Sequence, residues 1–245
     1  MADAIVAQML PDGVVKGGSA LKIRFGDAST RFTSDLDTAR SSDMEEYAER
    51  LSAALKMGWE GFAGALVPRE PATPKGIPAA YVMQPFDVKL TYLEKPWVTV
   101  QLEVGHNEVG DADSPEMAIP HEASKMLQAL GFPELSPVPL MPLGYQVAQK
   151  LHGVSEPGSK RAHDLVDLQL IVNRGVIDYG ETRQICERLF AYRGLQPWPP
   201  HVVEGEGWES LYRDAAGGLE VLPAVDEAVE WVNELIDRIA GAMSL

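Results

Sequence analysis

Apolar and polar residues alternate along two neighbouring stretches of the chain. Val88, Leu90 and Tyr92 are interleaved with Asp87, Lys89 and Thr91, and Val98, Val100, Leu102 and Val104 with Thr99, Gln101 and Glu103. A period of two predicts a hairpin with one buried face, turning at 94–96. Glu103 then lies on the polar face of its strand. A third strand is predicted over 33–38. Elsewhere the spacing is three or four. Tyr47, Leu51 and Leu55 share a helical face, and Ser42 with Glu45 forms a capping box, which predicts a helix over 43–57. Val225, Val229, Val232, Ile236 and Ile239 predict another over 225–240. Further helices are predicted over 121–130 with Gly131 as its stop, over 143–152, over 161–173, and over 181–192 between a capping box at Asp178–Glu181 and a stop at Gly194. The apolar run 4–10 predicts a helical turn, and 19–24 a short helix. The prolines between 68 and 85, and Pro133, Pro137, Pro139 and Pro142, predict loops or extended connections. The pattern is therefore α/β (α+β) at first and mostly helical later. The change falls near residue 115 and predicts two domains, 1–115 and 116–245.

The most informative stretch is KGGSALKIRFGDASTRFTSDLD, residues 16–37. Strand residues two apart point to one face, so Asp35 and Asp37 aim two carboxylates at one point with Leu36 buried behind them. Clustered carboxylates suit a hard cation such as Mg2+. The turn at Gly17, Gly18 and Ser19 lets backbone amides approach a phosphate closely. Two-metal nucleotidyl transfer asks for about three carboxylates from adjacent strands, and Glu103 is the available third. Read alone, the D-x-D is a solvated strand end and the glycines an ordinary turn. Together, one short helix apart, they read as a phosphate cradle beside a cation site. Lys16 reads as exposed, and Arg24 and Arg31 as either phosphate contacts or surface charge.

A second constellation lies in QKLHGVSEPGSKRAHDLVDLQLIV. Asp164 and Asp167 share a helical face, and aspartate is a poor helix former that needs partners there. Lys150 and Arg161 are the natural ones. Spacing leaves two readings open, an ion-pair network joining two helices or a nucleotide-phosphate site with Asp164 near an attacking hydroxyl.

Composition limits the alternatives. At 245 residues, 45% hydrophobic and 23% charged, the chain fits one large or two small globular domains. It has no long apolar run for a membrane span and no Lys or Arg before Lys16, as a secretory signal would need. A single cysteine, Cys186, excludes an intramolecular disulfide and a multi-cysteine zinc site, and reads as a core residue. A cytoplasmic protein is expected. The formal net charge of −15 argues against a broad nucleic-acid-binding face but allows a narrow site for one RNA end. The five histidines make no metal-binding pattern, Ser19 lacks a nucleophile elbow, and no P-loop motif is present.

The blocks VVKGGSALKIRF, RFTSDLD, QLEV, QVAQKLHG and KRAHDLVDL, in this order over roughly 13–175, resemble the AbiEii/AbiGii-type nucleotidyltransferases of the DNA polymerase β superfamily. The resemblance implies a minimal nucleotidyltransferase fold with a small mixed sheet in 1–115 and a helical C-terminal domain in 116–245 that completes the active site. It implies Mg2+ as cofactor and a nucleoside triphosphate as substrate. It further implies a tRNA 3′ end or other RNA as acceptor and a separately encoded antitoxin as partner. Residue by residue, it carries metal binding to Asp35, Asp37 and Glu103. It carries nucleotide binding to Gly17, Gly18, Ser19, Lys150 and Arg161, and catalytic roles to Asp35, Asp37, Lys150 and Asp164, with Asp164 as general base and Asp167 closing the block. On this reading Lys150→Ala stops transfer without unfolding the chain. Three positions depart from the family pattern. The spacing from Ser19 to Asp35 is long, His163 stands where relatives carry lysine, and Gln101 stands where they often do. Two rivals remain open at the level of sequence, transfer to a protein or small-molecule hydroxyl and a non-catalytic binding module.

Overall fold

The computed structural model describes residues 1–71 and 82–243. It divides into two compact units, Met1–Asp27 with Thr33–Met141, and Ala28–Phe32 with Pro142–Leu245. The boundary expected after residue 115 falls instead after Met141. The reason is that 116–141 supplies strands to the sheet of the first unit.

Among the described residues of the first unit the strands are β1 (Val14–Val15), β2 (Asp35–Arg40), β3 (Phe62–Pro68), β4 (Gln84–Tyr92), β5 (Lys95–His106), β6 (Glu116–Ala118) and β7 (Val138–Leu140). They form one mixed sheet in the order β3-β4-β5-β2-β1-β7-β6. β3, β4 and β5 run antiparallel in sequence, β5 then pairs β2 in parallel, and β1 pairs β7 in parallel. The helices are α1 (Ala2–Ala7), α2 (Gly17–Phe25), α3 (Met44–Met57) and α4 (His121–Ala129).

The alternation does what its period requires. Leu36, Val88, Val100, Leu102 and Val104 are buried on one sheet face, in a single core with Tyr47, Leu51 and Leu55 of α3 and Ile5 and Val6 of α1. Burial of this apolar surface drives the unit's folding at about 25 cal/mol per Å2. The opposite face of β2 and β5 is left to polar side chains. α3 starts one residue later than the capping box implies. Its cap is Asp43, whose Oδ1 accepts from the Glu45 amide at 2.8 Å, rather than Ser42. The hairpin turns at Leu93 and Glu94, both with positive φ, rather than across 94–96. Pro68 and Pro85 lie in strands, not in a loop. Pro68 ends the edge strand β3, where a missing N–H costs no ladder bond. Pro74 and Pro78 of that segment lie outside the described residues. Pro139, read as part of a connection, sits in β7 between buried Val138 and Leu140.

The second unit contains α5 (Leu143–Ser155), α6 (His163–Arg174), α7 (Tyr179–Arg193), α8 (Trp208–Ala216) and α9 (Val225–Ala240). α5 packs on α6 and α7, and α9 on α6, α7 and α8. The ends of α7 are those that the sequence signals. Asp178 caps the Glu181 amide at 2.9 Å, and Gly194 stops the helix in the left-handed region. Cys186 is fully buried, and that burial pushes its thiol up, as befits a core residue. No helix among the described residues is long and apolar enough to cross a membrane.

Candidate active site

The parallel ladder between β2 and β5 sets the site of the first unit. Asp37 is the register partner of Glu103, and Asp35 of Gln101. Register partners in a sheet project to the same side, so Asp35, Asp37 and Glu103 share one face. Leu36 and Leu102, partners on the other face, are fully buried. The Thr38 hydroxyl, donating to the Glu103 carbonyl at 3.1 Å, ties the two strands at this level.

The glycine turn meets the same point. The Lys16 amide donates to the Asp37 carbonyl at 2.8 Å, and α2 begins at Gly17, whose φ is +62°. A Cβ on residue 17 would stand 2.3 Å from Asp37 Oδ2. Only glycine allows this approach, which sets the first turn of α2 beside the carboxylate. Amides of a first helical turn have no intrahelical acceptor and carry the positive end of the helix dipole. Gly18 is packed in turn against the Thr33 side chain. Gly17→Ala is therefore expected to lower nucleotidyl transfer by at least about tenfold, one 1.36 kcal/mol step in barrier, while far-ultraviolet circular dichroism stays that of the parent. Unchanged turnover in Gly17→Ala would separate the glycine turn from the chemistry.

Glu103 carries the electrostatic mark of the cluster. Its carboxyl is raised above the ordinary glutamate value, first by burial and then by the charges of Asp37 and Asp35, against weaker opposing pulls from Lys16 and Arg69. A raised acid favours the folded state most where it is protonated. Its cost grows as pH rises from the ordinary glutamate value through the raised one. A divalent cation relieves that cost. Mg2+ is thus expected to raise the melting temperature of the protein at pH 7, and Glu103→Gln to shrink the increase, read by thermal denaturation with and without the ion. Among the described residues no group of three or more His, Cys, Asp or Glu side chains is placed to hold a metal ion. The donor set still fits Mg2+, which is held by one or two carboxylates together with substrate phosphates rather than by an all-protein cage.

Ser19, expected as a phosphate ligand, and Lys16, expected as exposed, are both placed differently. Ser19 is 2% exposed, and its hydroxyl donates to the Asp35 carbonyl at 2.6 Å. It fastens α2 to β2, so the donor it has for a phosphate is its amide and not the hydroxyl. Lys16, read as exposed, is partly buried, with its ammonium over Gly105, where a Cβ would stand 3.0 Å from Nζ. The sequence reading took it as exposed, although its place directly before the glycine pair was a signal for a cation on this face. Arg24 bonds Glu116 and the Met141 carbonyl, which accounts for its charge structurally.

The second constellation lies wholly in the second unit. Lys150 Nζ donates to Asp164 Oδ1 at 3.0 Å and to Asp167 Oδ2 at 2.6 Å, Arg161 Nε to Asp164 Oδ2 at 2.6 Å, and Arg31 grips Asp167 with two bonds of 2.9 Å. Asp164 and Asp167 are 0% exposed and Lys150 4%. Lys150, Arg161, Asp164 and Asp167 thus come together as the sequence implies, with Arg31 as an added member. Burial pushes the Asp164 carboxyl up, but Lys150, Arg161 and His163 outweigh it and hold the group well below the usual range. Asp164, with no exposure and each oxygen bonded to a cation, is placed as an anchor for Lys150 and Arg161 rather than as a group open to an acceptor hydroxyl. Burial depresses His163, so the ring in the lysine position adds little positive charge at neutral pH.

Comparisons with known proteins follow the same lines. The family model described as "Nucleotidyl transferase AbiEii toxin, Type IV TA system" matches residues 3–232. No curated protein matches the chain. Among solved structures, it is similar to the nucleotidyltransferase toxin MenT4 (Rv2826c) from Mycobacterium tuberculosis H37Rv. The identity is 18% and the TM-score 0.52, covering 98% of this chain and 89% of that one. At that identity the likeness is one of fold.

Proposed function

We propose, since the chain belongs to the AbiEii nucleotidyl transferase toxin family of type IV toxin–antitoxin systems, that this nucleotidyltransferase uses the face bearing Asp35, Asp37 and Glu103 to move a nucleotide from a nucleoside triphosphate to an RNA hydroxyl, the 3′ end of a tRNA first among candidates. The reading is supported above all by the approach of Gly17 to Asp37 Oδ2, because it sets phosphate-binding amides beside the carboxylate pair. Mg2+, when held by Asp35, Asp37 and Glu103, supplies charge neutralisation at the phosphates and a lowered pKa at the attacking hydroxyl. The first-turn amides of Gly17, Gly18 and Ser19 receive phosphate oxygens, and Lys16 adds a fixed positive charge to that face. The acceptor hydroxyl gives up its proton to solvent as its oxygen attacks the α-phosphorus, the bond from that phosphorus to the β-phosphate bridge breaks, and pyrophosphate leaves. In the second unit the Arg161 side chain is 52% exposed, whereas Lys150 is bonded to two aspartates and holds that network. A separately encoded antitoxin is the expected protein partner.

The test is to incubate the protein with Mg2+ and each α-labelled nucleoside triphosphate in whole-cell extract. Label on small RNA supports the proposal. Label on protein or a small molecule alone overturns the acceptor, a result that the net charge of −15 would suit. No label on anything overturns the enzymatic reading.

A further inference from the structure

The face that bears Asp35, Asp37 and Glu103 continues across the sheet. Pro85 is the register partner of Glu103, and Asp87 of Gln101, so each row begun on β2 and β5 runs on into β4. The Arg69 amide donates to the Pro85 carbonyl at 2.9 Å and extends the row of Asp37 and Glu103 beyond the end of β3. Lys89 and Thr99 are partners two residues further along. Alternation puts these side chains on the carboxylate face. Arg69, Lys89, Thr99 and Gln101 are exposed, so this stretch of sheet is open to solvent.

Its charge differs from that of the chain, which has 21 Lys and Arg against 36 Asp and Glu. Beyond the three carboxylates, the described residues of β3, β4 and β5 on this face, with Arg69 after β3, present Arg69 and Lys89 against Asp87 alone. Arg69 meets Asp87 only at 3.7 Å, beyond hydrogen-bond reach, and Lys89 has no ion pair among the described residues. The Arg69 charge is also felt at Glu103, so the guanidinium leans over Pro85 toward the carboxylates.

We infer that the open face of β5, β4 and β3 carries the acceptor strand, with Arg69 and Lys89 on its phosphates. The inference rests on the RNA-acceptor reading above. The glycine turn that receives the triphosphate follows β1, on one side of β2, whereas β5 and β4 lie on the other. An in-line displacement puts the attacking and leaving oxygens on opposite sides of the phosphorus. With pyrophosphate leaving toward α2, the acceptor approaches over β5 and β4. By strand spacing the Arg69 backbone lies about 10 Å from that of Glu103, and the Lys89 backbone about 12 Å from that of Asp35. The two cations therefore meet phosphates upstream of the reacting hydroxyl and act as positioning residues.

The experiment measures binding of fluorescent single-stranded rA12 to the intact chain by anisotropy, with Mg2+ and without nucleoside triphosphate, over a range of salt concentrations. Each phosphate contact on a single strand contributes about 0.7 to the slope of log affinity against log salt. Arg69→Ser and Lys89→Ser are each expected to reduce the slope by about 0.7 and to weaken binding about fivefold at about 0.1 M salt. Arg69→Lys keeps the charge and is expected to keep the slope. Lys56→Ser removes an exposed cation of α3, which packs on the opposite face, and is expected to bind like the parent. Should Arg69→Ser unfold, Lys89→Ser carries the test alone. Slopes unchanged in both serine variants, an equal loss from Lys56→Ser, or a parent that binds no RNA each overturn the inference. Its failure is distinguishable from that of the transfer reading. If the parent labels RNA and both variants do so with the parent's KM for RNA, only the path is refuted. If the slopes fall as expected but no RNA is labelled, only the transfer reading is.

Discussion

Asp37→Asn is expected to abolish nucleotidyl transfer while leaving the protein at least as stable as its parent. Asp37 is where three features of the first unit meet. It pairs in register with Glu103, its carboxylate lies against Gly17, and its backbone carbonyl holds the Lys16 amide. Loss of a cation-binding carboxylate removes several kcal/mol of charge stabilisation, so the fall in kcat/KM is expected to reach about 1000-fold, roughly 4 kcal/mol of barrier. Stability should move the other way. Asp37 is the larger of the two like charges that raise the Glu103 carboxyl. Its neutralisation relieves that repulsion, so the melting temperature in the absence of divalent ions should rise slightly. Structural damage would lower activity and melting temperature together. Label transfer and thermal denaturation on one preparation check both, and a folded Asp37→Asn that still labels its acceptor places the chemistry elsewhere.

The shared face of Asp35, Asp37 and Glu103 was legible because its signals are local. Two aspartates one residue apart fix a face whatever the partner strand, and the alternation at 98–104 already set Glu103 opposite an apolar layer. What sequence did not supply was the parallel pairing of β2 and β5, which is non-local and has no short-range cue. The same limit explains the missed strands. β6 and β7 hold three residues each, and their pairing is made by chain far from them in sequence. α8 escaped because it follows a run of Glu and Gly and buries only Trp208 and Tyr212, too few positions to show a period. Those two are fixed by tertiary bonds, Trp208 Nε1 to the Ser159 carbonyl and Tyr212 Oη to the Leu222 carbonyl. Helix ends written in side-chain chemistry were read correctly, as at Asp178 and Gly194. Functional assignments were least legible where a residue type suits two roles. Ser19 and Lys150 match the family positions, yet the bonds they make here are structural ones that no spacing reveals.

Lys150→Ala is expected to lose stability as well as activity, contrary to what the motif alone implies. The ammonium is buried between two carboxylates that have no exposure. Removing one member of a buried ion network typically costs about 3–5 kcal/mol, because the remaining charges stay desolvated. Arg161 still reaches Asp164 and Arg31 still grips Asp167, so the lower end, about 3 kcal/mol, is expected, or roughly 6–12 °C in melting temperature. The pH dependence supplies the check. Asp164 is depressed from its ordinary 3.8 in the folded state, so its contribution is present above that value and lost as pH falls toward the folded one. The stability gap between parent and Lys150→Ala should therefore be widest near neutrality and narrow as pH falls below the ordinary aspartate value of 3.8 toward the lowered value of folded Asp164. Urea denaturation at several pH values measures that gap. Lys150→Met keeps the length and apolar stem of the side chain but not its charge, and should lose nearly as much. A variant that melts with its parent at pH 7 would mean that the charge at position 150 does not hold α5 to α6.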